Sequence, residues 1–281
     1  MWLVYALCAG LLYTAEGLIA RHVMRAKKDA WAFSFYFSAV GALVSLPFML
    51  MAPTIPHTIT PWLLAGLVGL LLVGHNLLSF LASKHLEASL GGAVSKIRLV
   101  WVFILSVALL GEQWSWGKFM GTLLAFAAGA IIVHGVRRTG SAVGVMYVLA
   151  ATLFYAFLII LYKYLFRSFN TVSLTFFVTF LPAAILNFVL MPKAVPRIVK
   201  LYKEDGRMVL AGCGLGALAN LAMNAGLESG EATAVLVIME TFLIVTLVGE
   251  HILLREKEQM WVKVAAVTLA VAGAILIRIS S

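Results

Sequence analysis

Residues 111–133 read GEQWSWGKFMGTLLAFAAGAIIV, and residues 249–277 read GEHILLREKEQMWVKVAAVTLAVAGAILI. Both stretches open on Gly-Glu, at Gly111-Glu112 and Gly249-Glu250, and both carry Ala-Gly-Ala-Ile inside a long apolar run, at 128–131 and 272–275. The same motif in the same relation to an apolar run, half a chain apart, points to a duplicated membrane unit.

The duplication extends to the start of the chain. Shifting residues 5–25 by 142 sets Tyr5 on Tyr147, Leu7 on Leu149, Ala9 on Ala151, Leu11 on Leu153, Tyr13 on Tyr155, Arg21 on Lys163 and Arg25 on Arg167. A membrane-spanning helix needs roughly 20 mostly apolar residues. Runs of that length fall at about 2–20, 31–51, 61–82, 88–110, 115–136, 142–163, 171–191, 208–226, 232–253 and 259–279. The expected fold is therefore an all-α membrane protein of ten transmembrane helices, in two five-helix repeats over 1–138 and 139–281. Five is an odd number of crossings, so the second repeat enters from the opposite face and the two are inverted.

Composition excludes most other classes. Of 281 residues 63% are hydrophobic and 12% charged, against about 45–50% and about 25% in soluble domains. The net charge of +9 does not read as nucleic-acid binding, because the basic residues sit mostly in the short connections. That is the pattern of topology signals and lipid-headgroup anchors. The odd-numbered connections hold 14 Lys and Arg, whereas the even ones and both ends hold about 4. The positive-inside rule then places both termini outside the cytoplasm, in the cell membrane, which we read as a bacterial inner membrane. No Lys or Arg precedes Arg21, so the first run reads as a retained helix and not a signal peptide. The seventh connection, Pro192 to Arg207, carries Arg197, Lys200 and Lys203 among apolar residues and reads as a short amphipathic helix at the interface. Cys8 and Cys213 form no disulfide framework and no metal spacing.

With its ten runs, its five-plus-five duplication and the Gly-Glu that closes helices four and nine, the chain resembles the EamA-type branch of the drug/metabolite transporter (DMT) superfamily. The resemblance implies eight helices around a central cavity, helices five and ten outside that ring, and export or exchange of small metabolites. The family often carries a proline near the middle of helices four and nine, and neither run has one here. Most members are held to keep both termini in the cytoplasm, opposite to the charge count.

Ionisable residues inside spanning helices cost about 2.5–3.5 kcal/mol each on insertion scales, so they face a cavity or a partner. Here they are Glu16, His75, Lys96, Arg98, Glu240 and Lys263. Lys96 and Arg98 are candidates to bind a carboxylate or phosphate. Arg98 is favoured for its planar donor fork and Lys96 held second, because residues two apart on a helix point about 200° apart and both cannot face the cavity squarely. Glu16 and Glu240 are candidate partners of that cation or proton carriers, and His75 a candidate proton relay. The competing reading is an internal salt bridge, Arg98 with Glu240 or Lys96 with Glu16. Asn76 lies at the level of His75. Asn220 and Asn224 share a face of helix eight, to bind solute or to join helices. Tyr13 and Tyr155 are repeat-equivalent aromatics that either line the cavity or pack. Small residues at spacing four, Gly117, Gly121, Ala125 and Gly129 against Ala266, Ala270 and Ala274, predict a close contact of helices five and ten, and Gly212 with Gly216 predicts another on helix eight.

Nothing in the sequence reads as catalytic: there is no phosphate-cradling Gly-Lys-Ser/Thr loop and no metal cluster. The expectation is a secondary transporter, not an enzyme, needing no cofactor. It would move a small polar metabolite, an amino acid or organic anion, by alternating access, with protons as the candidate coupling ion. Its partners would be solute and lipid, as a monomer or weak homodimer. The rival readings are a membrane enzyme, a lipid-carrier flippase on the same scaffold, and a non-transporting partner subunit.

Overall fold

The computed structural model describes the backbone except at residues 26–27, 87–90, 92–93, 136–141, 243–259 and 281, and leaves out further side chains that include Glu240 and Lys263. The described residues are almost all helical. We number the membrane helices α1 (Trp2–Arg25), α2 (Ala30–Met51), α3 (Thr60–His85), α4 (Ile97–Leu110), α5 (Trp116–Gly135), α6 (Ala142–Leu165), α7 (Thr171–Leu190), α8 (Ala194–Ser229), α9 (from Ala232, described to Glu240) and α10 (Met260–Ser280). These are the ten expected spans.

Local chemistry sets the ends. Asp29 caps α2 by accepting from the backbone N–H groups of Trp31 (3.0 Å) and Ala32 (3.2 Å). Gly111 ends α4 at φ 69°, a left-handed conformation that glycine adopts without a Cβ penalty. Within α7 the turns widen to a π-helix over Leu174–Phe180. Pro182, which has no N–H to donate, stands just beyond it.

Two spans differ from the sequence expectation. The start of the expected helix four, at 88, lies outside the described residues; Val94 and Ser95 are helical, Lys96 is a turn, and the continuous helix runs from Ile97. The amphipathic stretch of the seventh connection is helical from Ala194 but is not separate. It runs into α8 across a kink at Asp205 (φ −141°, ψ 23°), and α8 continues to Ser229. Leu201 is buried, while Lys200 and Lys203 are exposed.

The packing obeys a pseudo-two-fold rule. Helix α1 packs along α8 and α6 along α3; α4 lies on α6 and α9 on α1; α2 lies on α8 and α7 on α3; α2 meets α7, and α5 meets α10. Exchanging the halves maps this set onto itself, which is the signature of two inverted five-helix repeats. The α5–α10 crossing is the close one expected. A Cβ built on Gly121 would lie 2.6 Å from the Gly273 carbonyl oxygen, and one on Gly273 would lie 2.5 Å from that of Gly121. Helix α8 likewise approaches its neighbours at Gly212, against Ile19, and at Gly216, against Phe37.

The connections separate onto two faces. On one, the first connection meets the seventh: Asp29 is paired with Arg197 (2.5 and 2.7 Å) and Lys28 with Glu204 (2.6 Å). Burial pushes the Asp29 carboxyl up, but the Arg197 hydrogen bond and the amides of Ala32 and Trp31 outweigh it and hold the group below its usual value. On the other face, the second connection meets the sixth: Asn170 donates to the Ala52 carbonyl (2.8 Å), and the Thr54 N–H donates to Ser173 Oγ (2.7 Å).

Candidate functional site

A cavity of about 340 Å³ opens among α1, α2, α3, α4, α6, α8 and α9. Its walls follow helical arithmetic. Helix α3 presents Leu72, His75, Asn76, Ser79 and Phe80, and α1 presents Gly10, Tyr13, Thr14 and Gly17 with Glu16 at the flank. Both sets are i, i+3, i+4, i+7 stripes, so each helix turns one continuous face inward.

The cationic wall is α4. Both Lys96 and Arg98 line the cavity. The cavity takes residues two apart on one helix here, as it does at Thr14 and Glu16 of α1. The Arg98 guanidinium stacks over the Tyr155 ring, 4.8 Å from its centroid, a cation–π contact strengthened by desolvation. The first N–H groups of α4 point out of the same helix end and add positive potential.

His75 stands beside this wall, its ring 5.2 Å from that of Tyr155. His75 Nδ1 is 2.9 Å from the Ala151 carbonyl oxygen. A carbonyl only accepts, so Nδ1 carries the proton and Nε2 is left as the second ring nitrogen. Tyr13 and Tyr155, equivalent in the two repeats, both aim their hydroxyls at Met223 Sδ, at 3.9 and 3.3 Å. They therefore meet across the cavity as well as lining it.

The acidic wall is α1. Glu16 lines the cavity and makes no hydrogen bond or ion pair to a described residue. Asn76 is buried, with an Nδ2 that finds no acceptor among the described residues. Asn220 lines the cavity and donates to the Gly216 carbonyl of its own helix (3.3 Å).

One expected residue is not brought to this group. Asn224, expected on the Asn220 face, lies outside the lining: it is fully buried and donates to Thr175 Oγ1 (2.8 Å), tying α8 to α7. The α8 surface turns away from the cavity by one helical turn, so the i, i+4 pair divides between solute-facing and helix-facing roles. The Glu240 side chain is outside the described residues. Lining hydroxyls that sequence reasoning missed are Thr14, Ser79, Ser95 and Tyr162. Extending the His75–Asn76 stripe by one turn reaches Ser79, and extending Tyr155 by two reaches Tyr162. Thr14 and Ser95 had no comparable signal.

The Gly-Glu motif has a separate position. Glu112 Oε1 accepts from the Ala232 N–H (2.7 Å) and Oε2 from Thr233 Oγ1 (3.1 Å), so the end of α4 caps the start of α9 in the other repeat. Beside it, Lys118 is buried and paired with Glu231 at 2.7 Å. Glu250 lies outside the described residues.

A family model described as the EamA-like transporter family matches residues 1–134 and again residues 142–279. One solved crystal structure superposes with a TM-score of 0.73, covering 99% of this chain and 98% of its own, at 17% sequence identity. At that identity the likeness is one of fold. No curated protein matches at a significant level.

Proposed function

This chain belongs to the EamA-like transporter family, and on that footing we propose that it is a secondary exporter or exchanger of a small polar metabolite bearing an anionic group, such as an amino acid or organic anion. One observation carries the reading. A cavity inside a bundle of membrane helices holds two cations, Lys96 and Arg98, on one wall and a carboxylate, Glu16, on another. Ionisable residues at this depth face a cavity or a partner, and a solute carrying an anionic and a cationic group is complementary to both walls at once. Arg98 takes the carboxylate of the solute, Lys96 and the Asn76 amide assist, and Glu16 takes an ammonium group or a proton.

The two units, 1–138 and 139–281, rock against each other so that the cavity opens to one face at a time. Proton antiport is the coupling we favour, with Glu16, His75 or Glu240 as carrier. The clustering of basic residues on the odd-numbered connections supports both termini lying outside the cytoplasm.

The test is a thermal-stabilisation and vesicle-uptake screen over amino acids and organic anions, with Arg98→Gln as control. The variant is expected to insert and fold, and to lose uptake by about tenfold or more, the equivalent of a charge-assisted hydrogen bond. Unchanged uptake by Arg98→Gln would remove Arg98 from the site. Collapse of the proton gradient should slow net transport, and indifference to it would leave facilitated diffusion.

A further inference from the structure

The glycines around the cavity do two different jobs. At Gly10 a Cβ would lie 2.7 Å from the Met239 carbonyl oxygen; at Gly74 it would strike the Phe154 ring at 2.6 Å, and at Gly216 the Phe37 ring at 2.4 Å. In these places the missing side chain lets another group approach. Gly17 differs: it lines the cavity, is exposed, and a Cβ built on it meets no atom of the described residues within 4 Å. Nor does its backbone demand glycine, since Gly111 is the one glycine with positive φ among the described residues. Glycine inside a helix is less favourable than alanine by about 1 kcal/mol. At Gly17 that cost secures space and no packing contact.

The repeat isolates the feature. Under the 142-residue shift, Glu16 and Gly17 correspond to Leu158 and Ile159, which are 1% and 0% exposed. In the second half Leu158 lines the same cavity with an aliphatic side chain and Ile159 is buried core; the first half has a carboxylate and a bare glycine at these places. Beside Gly17, Glu16 and Phe37 are the two side chains that crowd Gly216 of α8, so the adjoining α1–α8 wall is already closely packed and has little room to recede.

We infer that Gly17 is the size-determining residue of the cavity: the bulk of the solute passes over its bare backbone, and the side chain at position 17 sets the largest solute accepted. The inference rests on the transport reading for its biological meaning, but its geometry is testable without a known solute.

In a Cys8→Ser background reconstituted into vesicles with reagent on both sides, Gly17→Cys should react with a charged methanethiosulfonate. Reaction only with a lipid-soluble maleimide, or with neither, would overturn the inference by placing position 17 against lipid or protein. Next, Asn220→Cys serves as a reporter on the α8 wall, probed with methanethiosulfonates graded from methyl to benzyl. Combined with Gly17→Ala, →Val and →Phe, the ratio of large-reagent to small-reagent rates should fall stepwise as the residue grows. A ratio that stays constant across the series would overturn the size limit. Gly17→Ala should melt no lower than the parent, which shows that the series acts on space and not on folding. If no amino acid or organic anion is carried while these thiol results hold, the substrate reading fails and the size inference stands.

Discussion

Arg21 and Lys163, equivalent in the two repeats, do the same work on opposite faces of the membrane. Arg21 Nη1 donates to the carbonyls of Ser83 (2.5 Å) and Leu86 (2.6 Å) at the end of α3, and Lys163 Nζ donates to those of Leu227 (2.7 Å) and Gly230 (2.9 Å) at the end of α8. In each case the acceptors are the residue just past the helix and the one three before it. The last carbonyls of a helix have no partner within it and carry its negative partial charge, so one cation from the neighbouring helix satisfies both needs.

Replacing either cation by alanine leaves those carbonyls without their donors near the membrane edge. Arg21→Ala and Lys163→Ala should each lower stability by about 1–2 kcal/mol, and the losses should add because the sites share no partner. Arg21→Lys and Lys163→Arg should retain most of it. Unfolding in detergent micelles measures this, and unaltered midpoints in both alanine variants would refute it.

Glu112 caps a helix of the other repeat. Glu112→Ala removes the acceptor of the Ala232 N–H and Thr233 hydroxyl bonds and should cost about 1–2 kcal/mol, as for loss of a helix N-cap. Glu112→Gln keeps a carbonyl oxygen and should cost less. Equal melting of the two variants would show that the cap adds nothing.

The α5–α10 crossing is a backbone-to-backbone contact at Gly121 and Gly273. Because each new Cβ meets a carbonyl oxygen of the other helix, and at Gly121 the buried Ile277 side chain as well, Gly121→Ala should cost about 1–3 kcal/mol, in the range of overpacking, and Gly121→Leu should prevent folded yield. Fluorescence-detected size-exclusion of membrane extracts reads both. A monodisperse Gly121→Leu protein would contradict the contact.

The Asp29–Arg197 pair predicts a pH dependence. The folded-state carboxyl is held below its ordinary value, so its stabilisation is complete above about pH 4–5 and is lost as pH falls through the depressed value. Asp29→Asn keeps the α2 cap and removes the charge. It should cost about 0.5–1 kcal/mol at neutral pH, a magnitude reduced by solvent screening because both side chains are about a third exposed. It should converge with the parent in acid, whereas Asp29→Ala should remain lower throughout because it also loses the cap. A gap between Asp29→Asn and the parent that widens on acidification would reverse the sign.

The amino-acid sequence alone determined the class, the ten crossings, the inversion and the α5–α10 contact. Each rests on a one-dimensional quantity: the length of an apolar run, the parity of five crossings, the side on which basic residues fall, or small residues at helical spacing. It also singled out most of the polar cavity wall, because a charge inside a spanning helix has few physical outlets. Only the tertiary structure decided how those residues divide. Lys96 and Arg98 share the cavity although they stand two apart on one helix. Asn224 went to Thr175 while Asn220 went to the cavity, because a helix surface serves two neighbours within one turn. Gly17 became open space while Gly216 became a packing contact, and Glu112 became the cap of a helix about 120 residues away. The letters at such positions are the same whether the third dimension places a void, a ring or a carbonyl against them, and that placement depends on partners distant in the chain.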